Sequence, residues 1–324
     1  MLKNRRVIIV IIGLMMSFGR PAHPVSAATE NSSLTFMSSL GSGPNCECKL
    51  PDSNFYPNFH ACTAFASTTR GKQTPTCFHP AAVREFGVSC LEDAKYILTS
   101  PGKWGPTEWL GAALAIGTTL ALYEADAHIR ESWQKNRSDF GDDLFGLVGK
   151  AGHVGFLAPA LGLWYCYGKR DGNVRTQEAA RVALESLTVT AGLTAAVKLA
   201  CHRSRPDTGD GPRSFGGVGG SLDDDKLSFC SLHSAAAFSV ATVLADYYRN
   251  QRWAPVLAYG SATLVALSRI NDDRHWSSDV FAGAVLGYYT AKKILARRSV
   301  QGATVTITPM ITEQGWALTA QYRF

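Results

Sequence analysis

At 324 residues and 46% hydrophobic content, the chain is long enough to bury a substantial core, and a globular protein is expected. The formal net charge of +6 is concentrated at the start: residues 1–27 hold Lys3, Arg5, Arg6 and Arg20 and no acidic residue, so without them +6 falls to +2. No basic tract with interleaved aromatics is left, which argues against a nucleic-acid partner.

The first segment, "MLKNRRVIIVIIGLMM", combines a basic start with an apolar run from Val7 to Met16, and "PVSAA" follows with small residues at a cleavage position near Ala27 or Ala28. Residues 1–27 therefore read as a secretory signal peptide, and the expected location is exported, periplasmic or peripheral to the membrane. Residues 28–94 are rich in Ser, Thr, Pro, Gly and Asn without sustained periodicity, and Cys46, Cys48, Cys62, Cys77 and Cys90 fall within them. An irregular, disulfide-stapled N-terminal region is expected there, with its connectivity open.

From residue 95 to 300 the character changes to apolar segments of helical composition at 109–123, 154–168, 178–201, 232–248, 254–270 and 278–296. The long Gly/Asp-rich stretch at 205–225 separates two of them, and a loop of that length inside a helical domain points to function. A spanning helix needs about 20 mainly apolar residues. The uncharged runs are shorter and interrupted by Ser, Thr, Gly and His, so the preferred reading is a water-soluble or peripheral bundle, with a membrane-embedded bundle as the alternative. Residues 301–324 change period again: "TVTIT" and "WALTAQYRF" alternate, which predicts a C-terminal β-hairpin packed on the bundle.

Three short constellations carry chemistry. In "VKLACHRSRPDTGD", Lys198 and Arg205 stand seven residues apart, so both cations can face one point. In "SFCSLHSAAAFSVA", Ser231 and His233 precede a small-residue helix, whose N-terminus offers backbone N–H groups to an anion. In "SRINDDRHWSSDVFAG", Arg269 ends a helix while His275 and Asp279 are four apart, a spacing at which a carboxylate can hold an imidazole's tautomer and orientation.

The order and spacing of these pieces are K-x6-RP (Lys198, Arg205, Pro206), S-x-H (Ser231, His233) and SR-x5-H-x3-D (Ser268, Arg269, His275, Asp279). On them, residues 95–297 resemble the type 2 phosphatidic acid phosphatase (PAP2) superfamily, which includes bacterial class A acid phosphatases and vanadium haloperoxidases. The resemblance implies an all-α, haloperoxidase-like helical bundle and phosphatase activity through a phosphohistidine, with no metal and no cofactor. It further implies that Lys198, Arg205 and Arg269 hold the phosphate with a hydrogen bond from Ser231. His275 then attacks phosphorus, Asp279 orients His275, and His233 protonates the leaving group.

The physical reading of the residues agrees, since phosphoryl transfer needs mainly positioning and charge neutralisation, and three cations supply that while repelling a divalent metal. The second motif departs from the family's Pro-Ser-Gly-His: this chain has Cys230 and Leu232 in those places. Leu232 has a backbone N–H to offer the phosphate but adds an apolar side chain beside it. Cys230 and Cys201 are either a disulfide tying two motif segments or two buried thiols. The expected partner is a phosphate-ester substrate, a lipid phosphate or polyprenyl pyrophosphate. The competing functions are a vanadium-dependent haloperoxidase and a phosphate- or lipid-binding protein without turnover. Oligomeric state is not legible.

Overall fold

Helix starts in this chain follow local capping chemistry. Gly105 N–H donates to Glu108 Oε2 at 3.0 Å, Ser138 Oγ accepts from Gly141 N–H at 3.2 Å, and Asn173 Oδ1 accepts from Thr176 N–H at 3.0 Å. In the computed structural model, which describes residues 34–36, 80–302, 304–312 and 315–323, these caps open three of the α-helices. The helices are α1 (Pro80–Thr99), α2 (Pro106–Gln134), α3 (Asp139–Ala151), α4 (Val154–Asp171), α5 (Val174–Cys201), α6 (Leu232–Tyr247), α7 (Trp253–Asn271) and α8 (Ser277–Gly302). The stretch between α5 and α6 is a loop with two short 3-10 turns.

α6 is the central helix because nearly every side chain on it is small or apolar and buried. On one side Phe238 and Ala241 meet Val265, Ile270 and Phe281; on the other Val240 and Val243 meet Val182, Leu187 and Ile294. α8 crosses α6 at very short range: a Cβ at Gly283 would lie 2.4 Å from Ser231 O and one at Gly287 2.0 Å from Ala235 O. Only glycine permits that approach, and it brings the start of α8 against the start of α6.

Several boundaries differ from expectation. The helical unit begins before residue 95, because α1 starts at Pro80. Its Ile97 is buried in the core, and Asp93 is buried against Arg297, so tertiary packing overrides the loop-like composition of 28–94. Cys90, expected in the disulfide-stapled region, is a thiol on this helix, and burial pushes it up to about 11. α2 continues past residue 123 to Gln134 because the charges there have partners inside the protein, Asp126 above all. α3 has no counterpart in the sequence reading. The signal peptide at 1–27 and Cys46, Cys48, Cys62 and Cys77 lie outside the described residues.

A second compact unit holds the strands. Thr304–Thr312 (β2) pairs antiparallel with Gly315–Arg323 (β3), whose other edge takes Leu34–Phe36 (β1). Among the described residues the sheet has three strands, where two were expected.

Among the described residues, one helix, α5, is long and apolar enough to cross a membrane, or there are two such spans if α3 and α4, bent by 56°, act as one. Large apolar side chains face outward on α2 (Trp109, Leu110, Leu114, Ile116, Leu120), α4 (Phe156, Leu163) and α7 (Trp253, Val256, Leu257).

Candidate active site

α5 ends where His202 takes a left-handed conformation, φ 45°, its N–H donating to Lys198 O at 2.9 Å. The turn leaves Lys198 in the last helical turn and sends Arg203 and Arg205 back across the helix ends. Lys198 Nζ donates to the carbonyl of Leu227, and burial together with nearby Arg205 brings the amine down to about 8. Arg205 is held by Asp224, with Nε on the backbone oxygen at 2.8 Å and Nη2 on Oδ1 at 2.7 Å. Arg269, in the last turn of α7, donates through Nη2 to Asp272 Oδ2 at 2.6 Å and through Nε to Ser268 Oγ at 3.1 Å.

These three cations line one pocket of about 900 Å³ with Leu232, His233 and His275; α3 and the start of α4 add Gly149, Lys150, His153 and Phe156 to the lining. Six of the eight residues singled out in the sequence therefore share a cavity. The other two stand behind its wall. Ser231 is fully buried and caps α6, accepting from Ser234 N–H at 3.5 Å, while its own N–H donates to Asp279 O at 3.0 Å. Asp279 is fully buried in the first turn of α8.

His275 lies just before α8, so its relation to Asp279 is not that of two residues on one helix face. The two approach to 3.9 Å, too far for a hydrogen bond, and Ser228 fills the gap. Ser228 Oγ donates to Asp279 Oδ2 at 2.5 Å and lies 3.3 Å from His275 Nδ1. With its proton committed to the carboxylate, the hydroxyl has only lone pairs to offer the ring. That selects the tautomer with hydrogen on Nδ1 and leaves the Nε2 lone pair free. Burial and then Lys198, Arg205 and Arg269 hold His275 well below the usual imidazole range, so it is neutral. Burial pushes the Asp279 carboxyl up, against Arg203, the Ser228 hydroxyl and the Trp276 N–H, all of which favour its charge.

Behind Asp279 is a buried ion network that the sequence reading missed. Arg203 Nη1 donates to Asp279 Oδ1 at 2.6 Å, and Nη2 to Asp126 Oδ2 at 2.8 Å, with all three side chains inaccessible to solvent. Asp126 also accepts from Ser277 Oγ at 2.6 Å and Ser278 N–H at 3.0 Å, which ties α2 to the start of α8. The guanidinium lies 5.1 to 5.4 Å from the rings of Tyr123, Phe215 and Trp276. Arg203 and Ser228 both stand within the stretches that carry the motifs, and a charged residue in "ACHRSRP" was the available signal. Nothing in the sequence around Asp126 marks it.

His233, in the first turn of α6, is brought down to about 3 by burial, then by Arg269, His275 and His153, so it is neutral. The His153 ring meets it edge-on at 5.3 Å. Cys201 and Cys230 are both thiols, and burial pushes Cys230 up to about 12. Among the described residues, no three His, Cys, Asp or Glu side chains are grouped to hold a metal ion.

Residues 179–301 match the family model of the PAP2 superfamily. Over 61 residues the chain is 41% identical to a lipid A 1-phosphatase of Porphyromonas gingivalis, a stretch that is 18% of this chain and 14% of that protein. Two crystal structures are similar in part. Aquifex aeolicus LpxE is 20% identical, with a TM-score of 0.41, over 53% of this chain and 94% of that one. A transmembrane PAP2-type phosphatidylglycerolphosphate phosphatase from Bacillus subtilis is 16% identical, with a TM-score of 0.42, over 58% of this chain and 96% of that one.

Proposed function

With residues 179–301 belonging to the PAP2 superfamily, we propose that the protein is a metal-independent lipid phosphatase working through a phosphohistidine on His275. The observation that carries this reading is the convergence of Lys198, Arg205 and Arg269 on the pocket that also holds His233 and His275. The two planar guanidinium forks and the ammonium neutralise the non-bridging phosphate oxygens, the main requirement of phosphoryl transfer. His275 Nε2 attacks phosphorus, and the bond to the leaving oxygen breaks as that oxygen takes a proton from His233. Ser228 and Asp279 stabilise the positive charge that forms on the His275 ring. Water then gives its proton to His233 and attacks phosphorus, breaking the N–P bond and freeing phosphate.

A lipid leaving group suits the apolar part of the lining, Phe156, Leu227 and Leu232, and the outward apolar side chains of α2, α4 and α7 suit contact with acyl chains. The similarity to a lipid A 1-phosphatase supports the same class of substrate. The test is phosphate release by the purified protein from a lipid phosphate and from a small aryl phosphate, each in excess EDTA. Release is expected to persist and to favour the lipid. Activity that is lost to the chelator and restored by a divalent metal would overturn the metal-independent reading.

The leaving-group proton leads to a pH prediction. His233 takes up its second ring proton only at about pH 3, whereas a phosphate monoester keeps its last proton up to about pH 6. The proton therefore enters with the substrate, and the phosphate's negative charge beside His233 favours its transfer to the ring. The alkaline fall of kcat/KM should follow the second ionisation of the substrate, moving when esters of different acidity are compared. A limb fixed at one pH for all substrates would assign the proton to the free enzyme instead.

A further inference from the structure

The part of the pocket lining that α3 contributes touches one of the three cations. Gly149, on α3, is buried, and a Cβ built on it would lie 1.9 Å from Arg269 Nη2 and 3.0 Å from Cζ, with Ser268 Oγ at 3.1 Å. The guanidinium thus meets a bare stretch of helix tip-first through Nη2 and is fixed by Asp272 and Ser268. Gly146, one turn earlier and also lining the pocket, has nothing within 4 Å of the same atom.

We propose that Gly149 is a positioning residue for the phosphate site: its missing side chain sets where the Arg269 guanidinium stands, and any larger residue moves that group away from the substrate. The inference rests on Arg269 being a phosphate ligand. The atom in the way is the far end of a flexible side chain, so it gives way without breaking the bundle. What is lost is placement, and misplacement by an ångström is costly to a site that works by positioning.

The experiment is a double-mutant cycle with Gly149→Ala and Arg269→Lys, plus Gly192→Ala, on α5 and outside the pocket lining, as control, read by kcat/KM on a lipid phosphate, the Kd of inorganic phosphate and thermal unfolding. Gly149→Ala is expected to weaken phosphate binding roughly tenfold and to lower kcat/KM by roughly tenfold or more, with unfolding unchanged. Gly192→Ala, with nothing within 4 Å of the added methyl group, is expected to match the wild type in kcat/KM and phosphate affinity. In the Arg269→Lys background, where the clashing Nη2 is gone, Gly149→Ala should cost less than about twofold. Wild-type phosphate affinity in Gly149→Ala, or an equal loss in both backgrounds, would overturn the proposal. Should Gly149→Ala not accumulate as folded protein, the double variant must; its failure too would overturn it. A wild type that binds inorganic phosphate but hydrolyses no ester would sink the phosphatase reading, while the cycle would still be decided by the binding constants.

Discussion

His275→Ala is expected to lower phosphate release by roughly 10⁴-fold or more, the scale seen when a nucleophile that works as a unit with its neighbours is deleted. The ring is held by Ser228 in the tautomer that exposes Nε2, and burial, then Lys198, Arg205 and Arg269, keep it unprotonated. Alanine supplies no lone pair, and no other imidazole in the pocket has this support: His153 Nδ1 accepts from Gly155 N–H at 2.9 Å, and His233 has the acid's role. Lys198, Arg205 and Arg269 remain, so inorganic phosphate should still bind with an affinity near that of the wild type. Measuring both separates the chemistry from the anion site. Release within tenfold of wild type, from folded protein that binds phosphate, would remove His275 as the nucleophile.

The parts of this site that were legible in the sequence are those whose chemistry forces a polar residue into an apolar stretch. Lys198, Arg205, His233, Arg269 and His275 stand at helix ends, where a charge interrupts a hydrophobic run, and their spacing is local. Ser228 has no legible role in the sequence, because a serine three residues before another carries no signal until the fold puts it between His275 and Asp279. Asp126 is further from view: its partner Arg203 is 77 residues away, so only the packing of α2 against the start of α8 reveals it. The same limit applies to the fold. α6 announces itself by its run of small and apolar side chains, whereas α1 is helical because Ile97 and Asp93 find partners in α8 and the core, in a stretch whose composition resembles a loop.

That distant pairing carries the second large effect. Arg203→Met is expected to cost about 3–5 kcal/mol of stability, because it leaves the carboxylates of Asp126 and Asp279 buried without a counter-charge. The cost falls on two acids at once, and the cheapest escape is to protonate one of them. If Asp279 takes the proton, Ser228 loses its charged acceptor and the His275 tautomer is no longer specified, so turnover should fall by more than the loss of folded protein explains. Replacing Asp126 as well, in Arg203→Met/Asp126→Asn, removes one of the stranded charges and should recover part of the stability, since an apolar or neutral replacement of a buried ion pair is often nearly neutral. It should not recover turnover, because Asp279 still lacks its guanidinium. Unfolding curves and kcat at one pH for the three proteins decide it. A double variant less stable than Arg203→Met would show that the network is not held by charge, and full turnover in either variant would show that Asp279 needs no help from Arg203 to hold Ser228 and His275.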